Sequence, residues 1–157
     1  MSRLKQWMDV KNIDLHLAAQ SEMDTIVEMM SLVEKDNAAV DLKALGRDLL
    51  HHEVVLPSAK GSCAVVFRVC SKAAKMLRIY FGRFNSGIGY FSKSGHPLDL
   101  IFLVISPPGD IIKFAAIVEK IENILADKVI RKQLREAEQG ETILDILEEN
   151  LVMEDNN

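Results

Sequence analysis

The longest apolar run in the chain goes from Leu98 to Ile105 and is interrupted by Asp99 alone. Gly95-His96-Pro97 precedes it and Ser106-Pro107-Pro108-Gly109 follows it. Pro107 and Pro108 stop any helix there, so the run reads as a strand buried on both faces, which needs helices above and below it. The next segment supplies one. Asp110 is placed to cap it, and Ile111, Phe114, Ala115, Val118, Ile121 and Leu125 recur at three- and four-residue spacings. Lys113, Glu119, Lys120, Glu122 and Asn123 are left for water.

The rest of the chain arranges itself around this centre. Leu4 to Val10 reads as a short helical turn whose Trp7 and Met8 dock on the body. Ile13 to Leu17 alternates with a period of two, a strand with His16 on its polar side. Ser21 and Asp24 open a helix with Met23, Ile26, Val27, Met30 and Val33 as its apolar stripe, running to Glu34 or Lys35. A second helix opens at Asp41, buries Leu42, Leu45, Leu49 and Leu50, carries His51 and His52 near its end and is closed by Pro57. A loop from Leu56 to Ser62 leads to the apolar strand Cys63–Cys70, interrupted by Arg68. Met76 to Phe84 alternates, with Leu77, Ile79 and Phe81 opposite Arg78, Tyr80 and Gly82; this predicts a strand with one wet face. Asn85 to Gly89 is a turn, and Tyr90-Phe91 leads on to the central strand. Lys128 to Arg135 forms a short basic helix after Asp127, and Gly140 separates a last helix from Glu141 to Leu151. No repeat or linker appears. The expected architecture is a single α/β domain over residues 1–157, a mixed β-sheet flanked by helices on both faces. Its core covers about residues 13–151, with a short N-terminal lead and an acidic C-terminal tail.

Composition changes this picture little. With 157 residues, 48% hydrophobic and 27% charged, the chain has the composition of an ordinary soluble domain that folds without disulfides or metal. A net charge of −4 argues against a nucleic-acid surface. Lys60, Arg68, Lys72, Lys75, Arg78 and Arg83 nevertheless make the middle of the chain locally positive. That stretch is either a solvated sheet face or a docking surface for an anionic group or an acidic partner. No apolar leader or membrane-spanning run is visible, so the expected compartment is the cytoplasm. Cys63 and Cys70, without a CxxC spacing, read as buried free thiols.

The order of elements, the wording Pro97-Leu98-Asp99-Leu100-Ile101-Phe102-Leu103-Val104 with its Pro-rich turn, the helix ending Ile124-Leu125-Ala126-Asp127-Lys128, and Gly140-Glu141-Thr142-Ile143-Leu144-Asp145-Ile146-Leu147 resemble one known family. It is the enzyme IIA domain, of fructose/mannitol and nitrogen-regulatory type, of the bacterial sugar phosphotransferase system. The resemblance covers about Ile13 to Leu151. It implies the fold of those domains and a histidine, in a Gly-x-Ala-Ile-Pro-His signature at a strand end, that takes a phosphoryl group from the phosphocarrier HPr. Here that signature falls on Cys63-Ala64-Val65-Val66-Phe67-Arg68, so Arg68 stands at the nucleophile's place. A guanidinium stays protonated and has no lone pair with which to attack phosphorus. The Gly-Ser-Thr-Gly turn of the family is replaced by Leu56-Pro57-Ser58-Ala59, and a second family histidine falls at Phe114 or beside it. No histidine lies between Glu53 and Gly95.

The resemblance also implies an arginine at the helix end where His52 stands. If His52 and Arg68 face each other, His52 is an alternative phosphoacceptor and Arg68 a clamp for the phosphoryl oxygens. The other reading of His52 is a helix-end residue placed there for electrostatic reasons. His51 and His52 are adjacent and lack the i, i+4 spacing of a metal pair; His96 and His16 read as structural residues. No cofactor or metal is expected. The expectation is a regulatory, protein-binding domain whose vestigial site holds Arg68, His52 and Phe114. An HPr-like phosphocarrier, or a regulated kinase or transporter, is its expected partner. A plain dimerisation module using the Met-rich helix or the acidic last helix is a third possibility, and the oligomeric state is left open.

Overall fold

The computed structural model describes residues 4–49, 53–57, 63–84, 90–91 and 97–151. Its strands are β1 (Ile13–Leu17), β2 (Glu53–Pro57), β3 (Cys63–Cys70), β4 (Arg78–Phe84), β5 (Tyr90–Phe91) and β6 (Pro97–Ser106). The helices are α1 (Glu22–Asp36), α2 (Leu42–Leu49), α3 (Ile111–Ala126), α4 (Lys128–Glu136) and α5 (Gly140–Leu151). The sheet order is β1-β4-β6-β3-β2, with β5 pairing on the start of β6. β6 is therefore interior, as its apolar run predicts. It lies parallel to β3 and antiparallel to β4, and β1 runs parallel to β4.

Alternation along β6 feeds two cores. Ile101, Leu103 and Ile105 pack under α1 and α2 with Val65, Phe67, Val69 and Tyr80. Leu100, Phe102 and Val104 pack under α3, α4 and α5 with Val66, Ile79 and Phe81. Leu98 belongs to the first core and Leu100 to the second, because the register slips by one residue at Asp99. This bulge is what drives the Asp99 carboxylate into the interior. The N-terminal lead forms a 3-10 turn over Leu4–Gln6, and Leu4, Trp7 and Met8 close the end of the second core.

Four expectations are corrected. β4 has no wet face: Arg78 and Tyr80 are buried, since β1 covers its outer edge and the end of α1 supplies a carboxylate to both. Residues 53–57 form β2, antiparallel to β3, where only a helix end and a loop were expected. Their apolar residues run too briefly before Pro57 to show a period. The buried stripe of α1 is Ile26, Met29, Met30 and Val33, so Met23 and Val27 lie outside. At the start of α3, Ile111 and Ala115 are exposed and Asp110 makes no side-chain cap, because Pro108–Asp110 form a 3-10 turn that enters the helix directly.

Local signals set the other boundaries. Ser21 Oγ accepts the N–H of Asp24 at 3.1 Å, and Asn37 ends α1 at φ 55°, the left-handed conformation asparagine tolerates. Asp127 accepts the N–H groups of Val129 and Ile130 to start α4. Gly82 permits close packing of β4 on its neighbours: a Cβ there would sit 2.6 Å from Leu17 Cδ1 and 2.8 Å from Met29 Sδ. Among the described residues, no helix is long and apolar enough to cross a membrane.

Candidate functional site

In an α/β sheet, ligands are met outside the carboxyl ends of parallel strands, where the following segments diverge. Here β3 and β6 are that parallel pair. After β3 the chain turns away towards β4, and after β6 it turns over Pro107 into α3. The Ser71 N–H donates to Ser106 O at 2.8 Å and ties the two exits together. Ser71 Oγ donates to Asp48 Oδ2 of α2 at 2.6 Å and accepts the Ala73 N–H at 3.0 Å. These bonds fix a small frame between α2 and the start of α3.

Arg68 lies opposite Val104 on β3 and shares the α3 side of the sheet with Ala64, Val66 and Cys70. Its side chain is 40% exposed, and Nη1 is 4.0 Å from Glu122 Oε2 of α3. That is the outer limit of an ion pair and too long for a hydrogen bond, so water shares the guanidinium. Phe114 is buried in the first turns of α3 among the second core. The Cys70 thiol is half-buried and free; burial pushes its pKa up, and the Asp110 carboxylate adds to the rise, which keeps it a thiol. His52, Leu50, His51, Lys60, His96, the turn expected over Asn85 to Gly89, the acidic tail and the side chain of Cys63 fall outside the described residues. Of Arg68, His52 and Phe114, the structure thus describes one half-exposed cation and one core aromatic. Among the described residues no group of His, Cys, Asp and Glu could hold a metal ion.

The basic middle of the chain does not form one surface. Arg78 donates Nε to Asp36 Oδ2 at 2.7 Å and Nη2 to Asp36 Oδ1 at 3.0 Å, a fork on a buried carboxylate. Tyr80 OH donates to the same Oδ2 at 2.8 Å, Asn12 Nδ2 donates at 3.4 Å, and Lys11 Nζ lies 3.3 Å from Oδ1. Burial alone would raise the Asp36 pKa; hydrogen bonds from Arg78 and Tyr80 and the guanidinium charge reverse this and hold it below the ordinary range. Burial, then the Asp36 bond and charge, push the Tyr80 phenol well above its usual pKa. Arg83 donates Nη1 to the carbonyls of Leu134, Arg135 and Ala137, a cation on the C-terminal end of α4. Lys75 Nζ donates to Asn37 Oδ1 at 2.9 Å. Two of the cations are therefore struts.

Asp36 and Asn12 were not singled out from the sequence. The available signal was Arg78 and Tyr80 together on the side of β4 read as wet, each needing a buried acceptor once covered.

Residues 6–150 match the family described as phosphoenolpyruvate-dependent sugar phosphotransferase system, EIIA 2. The chain belongs to this family. It is 24% identical over 148 residues to the PTS system fructose-specific EIIABC component of Bacillus subtilis, covering 94% of this chain and 23% of that protein. It therefore spans about a quarter of that relative's length. It is also 28% identical over 136 residues to the nitrogen regulatory protein of Bradyrhizobium diazoefficiens, covering 79% of this chain and 89% of the relative. Among solved structures, the nitrogen regulatory protein IIA-Ntr from Neisseria meningitidis superposes with a TM-score of 0.75 at 19% identity, covering 90% of this chain and 97% of that one. The EIIA fold expected from the central strand, its Pro-rich turn and the helices after it is thus established.

Proposed function

We propose that this EIIA chain is a degenerate, nitrogen-regulatory-type member of its family that binds a partner protein and does not relay phosphate. One observation carries the reading: Arg68, the residue that the family resemblance aligns with the acceptor, lies on β3 half-exposed and only loosely engaged by Glu122. A fixed positive charge there replaces a group whose charge would change on phosphorylation. The packing of Phe114 into the core supports the same reading, since a residue at or beside the second histidine's expected place serves stability. Arg68 is free to meet a carboxylate or an anionic metabolite, and the surrounding face to meet an HPr-like phosphocarrier or a regulated kinase or transporter. The protein is then a cytoplasmic bacterial regulator and a pseudoenzyme.

Treatment with a phosphohistidine-bearing HPr donor, followed by mass spectrometry, tests this: no residue gains a phosphoryl group. The alternative acceptor His52 has one argument, that the Arg68 guanidinium is accessible enough to clamp phosphoryl oxygens. Label on His52, lost in His52→Gln and weakened in Arg68→Ala, establishes that alternative and removes the first reading.

A further inference from the structure

α1 and α2 leave an open groove of about 400 Å³ on the outer side of the first core. Its walls are Met23, Ile26, Val27 and Met30 from α1 and Leu42 from α2. Met23 is 54% and Val27 61% exposed, an i, i+4 apolar pair facing water beside buried Ile26 and Met30. Gly46 keeps the α2 wall low: a Cβ there would meet only Met30 Cε, at 3.9 Å. Nothing in the fold of the monomer needs these two side chains outside.

The rims carry opposite charge. Glu34 borders the groove from α1 and Lys43 from α2, and no ion pair joins them among the described residues. α1 carries Glu22, Asp24, Glu28, Glu34 and the buried Asp36 against Lys35, whereas α2 carries Lys43 and Arg47, one turn apart, against Asp48; of these only Glu34 and Lys43 line the groove.

We propose that this face pairs with a second copy of the chain about a two-fold axis, the α1 of each copy lying along the α2 of the other. A two-fold contact sets a patch against its own copy, so a patch with both signs on opposite sides of an apolar centre matches itself in charge as well as in apolar surface, and this patch carries Glu34 and Lys43 in that way. Met23 and Val27 of each copy then enter the other's groove, and each Glu34 meets the other's Lys43. α1 is about 22 Å long and the patch two helices wide. That is small beside the roughly 800 Å² per partner of a standard interface, so the dimer is of the weak, reversible kind. This inference does not depend on whether the chain is phosphorylated.

Sedimentation equilibrium of the full chain, from about 1 µM to about 500 µM, tests it. The expected result is a reversible monomer–dimer equilibrium. Val27→Glu, at an exposed position, keeps the melting profile and stays monomeric; Met23→Lys does the same and serves if Val27→Glu misfolds. Lys43→Glu and Glu34→Lys each weaken the dimer about tenfold, and the double exchange restores it to within about threefold. A monomer at every concentration overturns the proposal. So does a dimer indifferent to Val27→Glu, or a double exchange as weak as either single change.

Discussion

Arg78 and Arg68 both interrupt apolar strands and both fall in the same basic stretch of sequence, yet the fold uses them oppositely. Arg78 is buried and its fork is closed on Asp36, with Asn12, Lys11 and Tyr80 meeting the same carboxylate. Arg68 is half in water and reaches Glu122 only at 4.0 Å. A guanidinium whose donors are all used inside holds the molecule together; one whose donors are shared with water remains available to something else. Removing one partner of a buried pair strands the other charge, whereas opening an exposed pair costs little. The difference is thus measurable as stability against binding.

The largest effect is expected at the buried pair. Asp36→Ala leaves the Arg78 guanidinium without its fork and should lower stability by about 3–5 kcal/mol, read as a shift of the urea midpoint. A loss under about 1 kcal/mol would put Arg78 in the same class as Arg68.

Next comes the acid limb, where a second buried carboxylate gives an internal contrast. The folded Asp36 pKa is below that of an unfolded aspartate, about 3.9. Its contribution is complete above that value and is lost as pH falls through the folded pKa, so the urea midpoint should drop there and Asp36→Asn should flatten the drop. Asp99 behaves in the opposite sense: burial raises its pKa, only partly offset by the Arg135 bond and charge. One of its oxygens, Oδ1, is buried without a hydrogen bond. An acid with a raised folded pKa costs stability when ionised and ceases to do so as pH falls through that pKa. Asp99→Asn should therefore leave the acid drop at least as steep. At neutral pH it should cost no more than about 1–2 kcal/mol, less than Asp36→Asn.

The smallest stability effect is expected at Arg68. Arg68→Ala should move the urea midpoint by no more than about 0.5 kcal/mol, while weakening capture of an HPr-like partner or an anion in a binding titration. Unchanged binding would move the docking role to another surface, and a large stability loss would make Arg68 a strut like Arg78.

Much of the fold was legible because it rests on local chemistry. The Leu98–Ile105 run between prolines marked the interior strand, Ser21 and Asp127 marked helix starts, and Gly140, expected just before the last helix, is its first residue. β2 was not legible, because Glu53 to Pro57 becomes a strand only by pairing with β3. The dry face of β4 was hidden for a similar reason: Arg78 and Tyr80 look like residues meant for water until Asp36, more than forty residues earlier, is brought against them. At the candidate site, the arginine that the resemblance aligns with the acceptor was readable as a residue type. Its half-exposure and slack contact with Glu122 were not, since Glu122 lies on a helix that reaches β3 only through the fold.

By itself the sequence determined the α/β class, the interior strand and most helix boundaries, because apolar period, caps and proline act over a few residues; the family was legible only through resemblance. Only the tertiary structure decided which arginine is sealed and which stays open, and where the register slip drives Asp99 inside. A charge is priced by the groups and water around it, and those come from segments far apart in the chain.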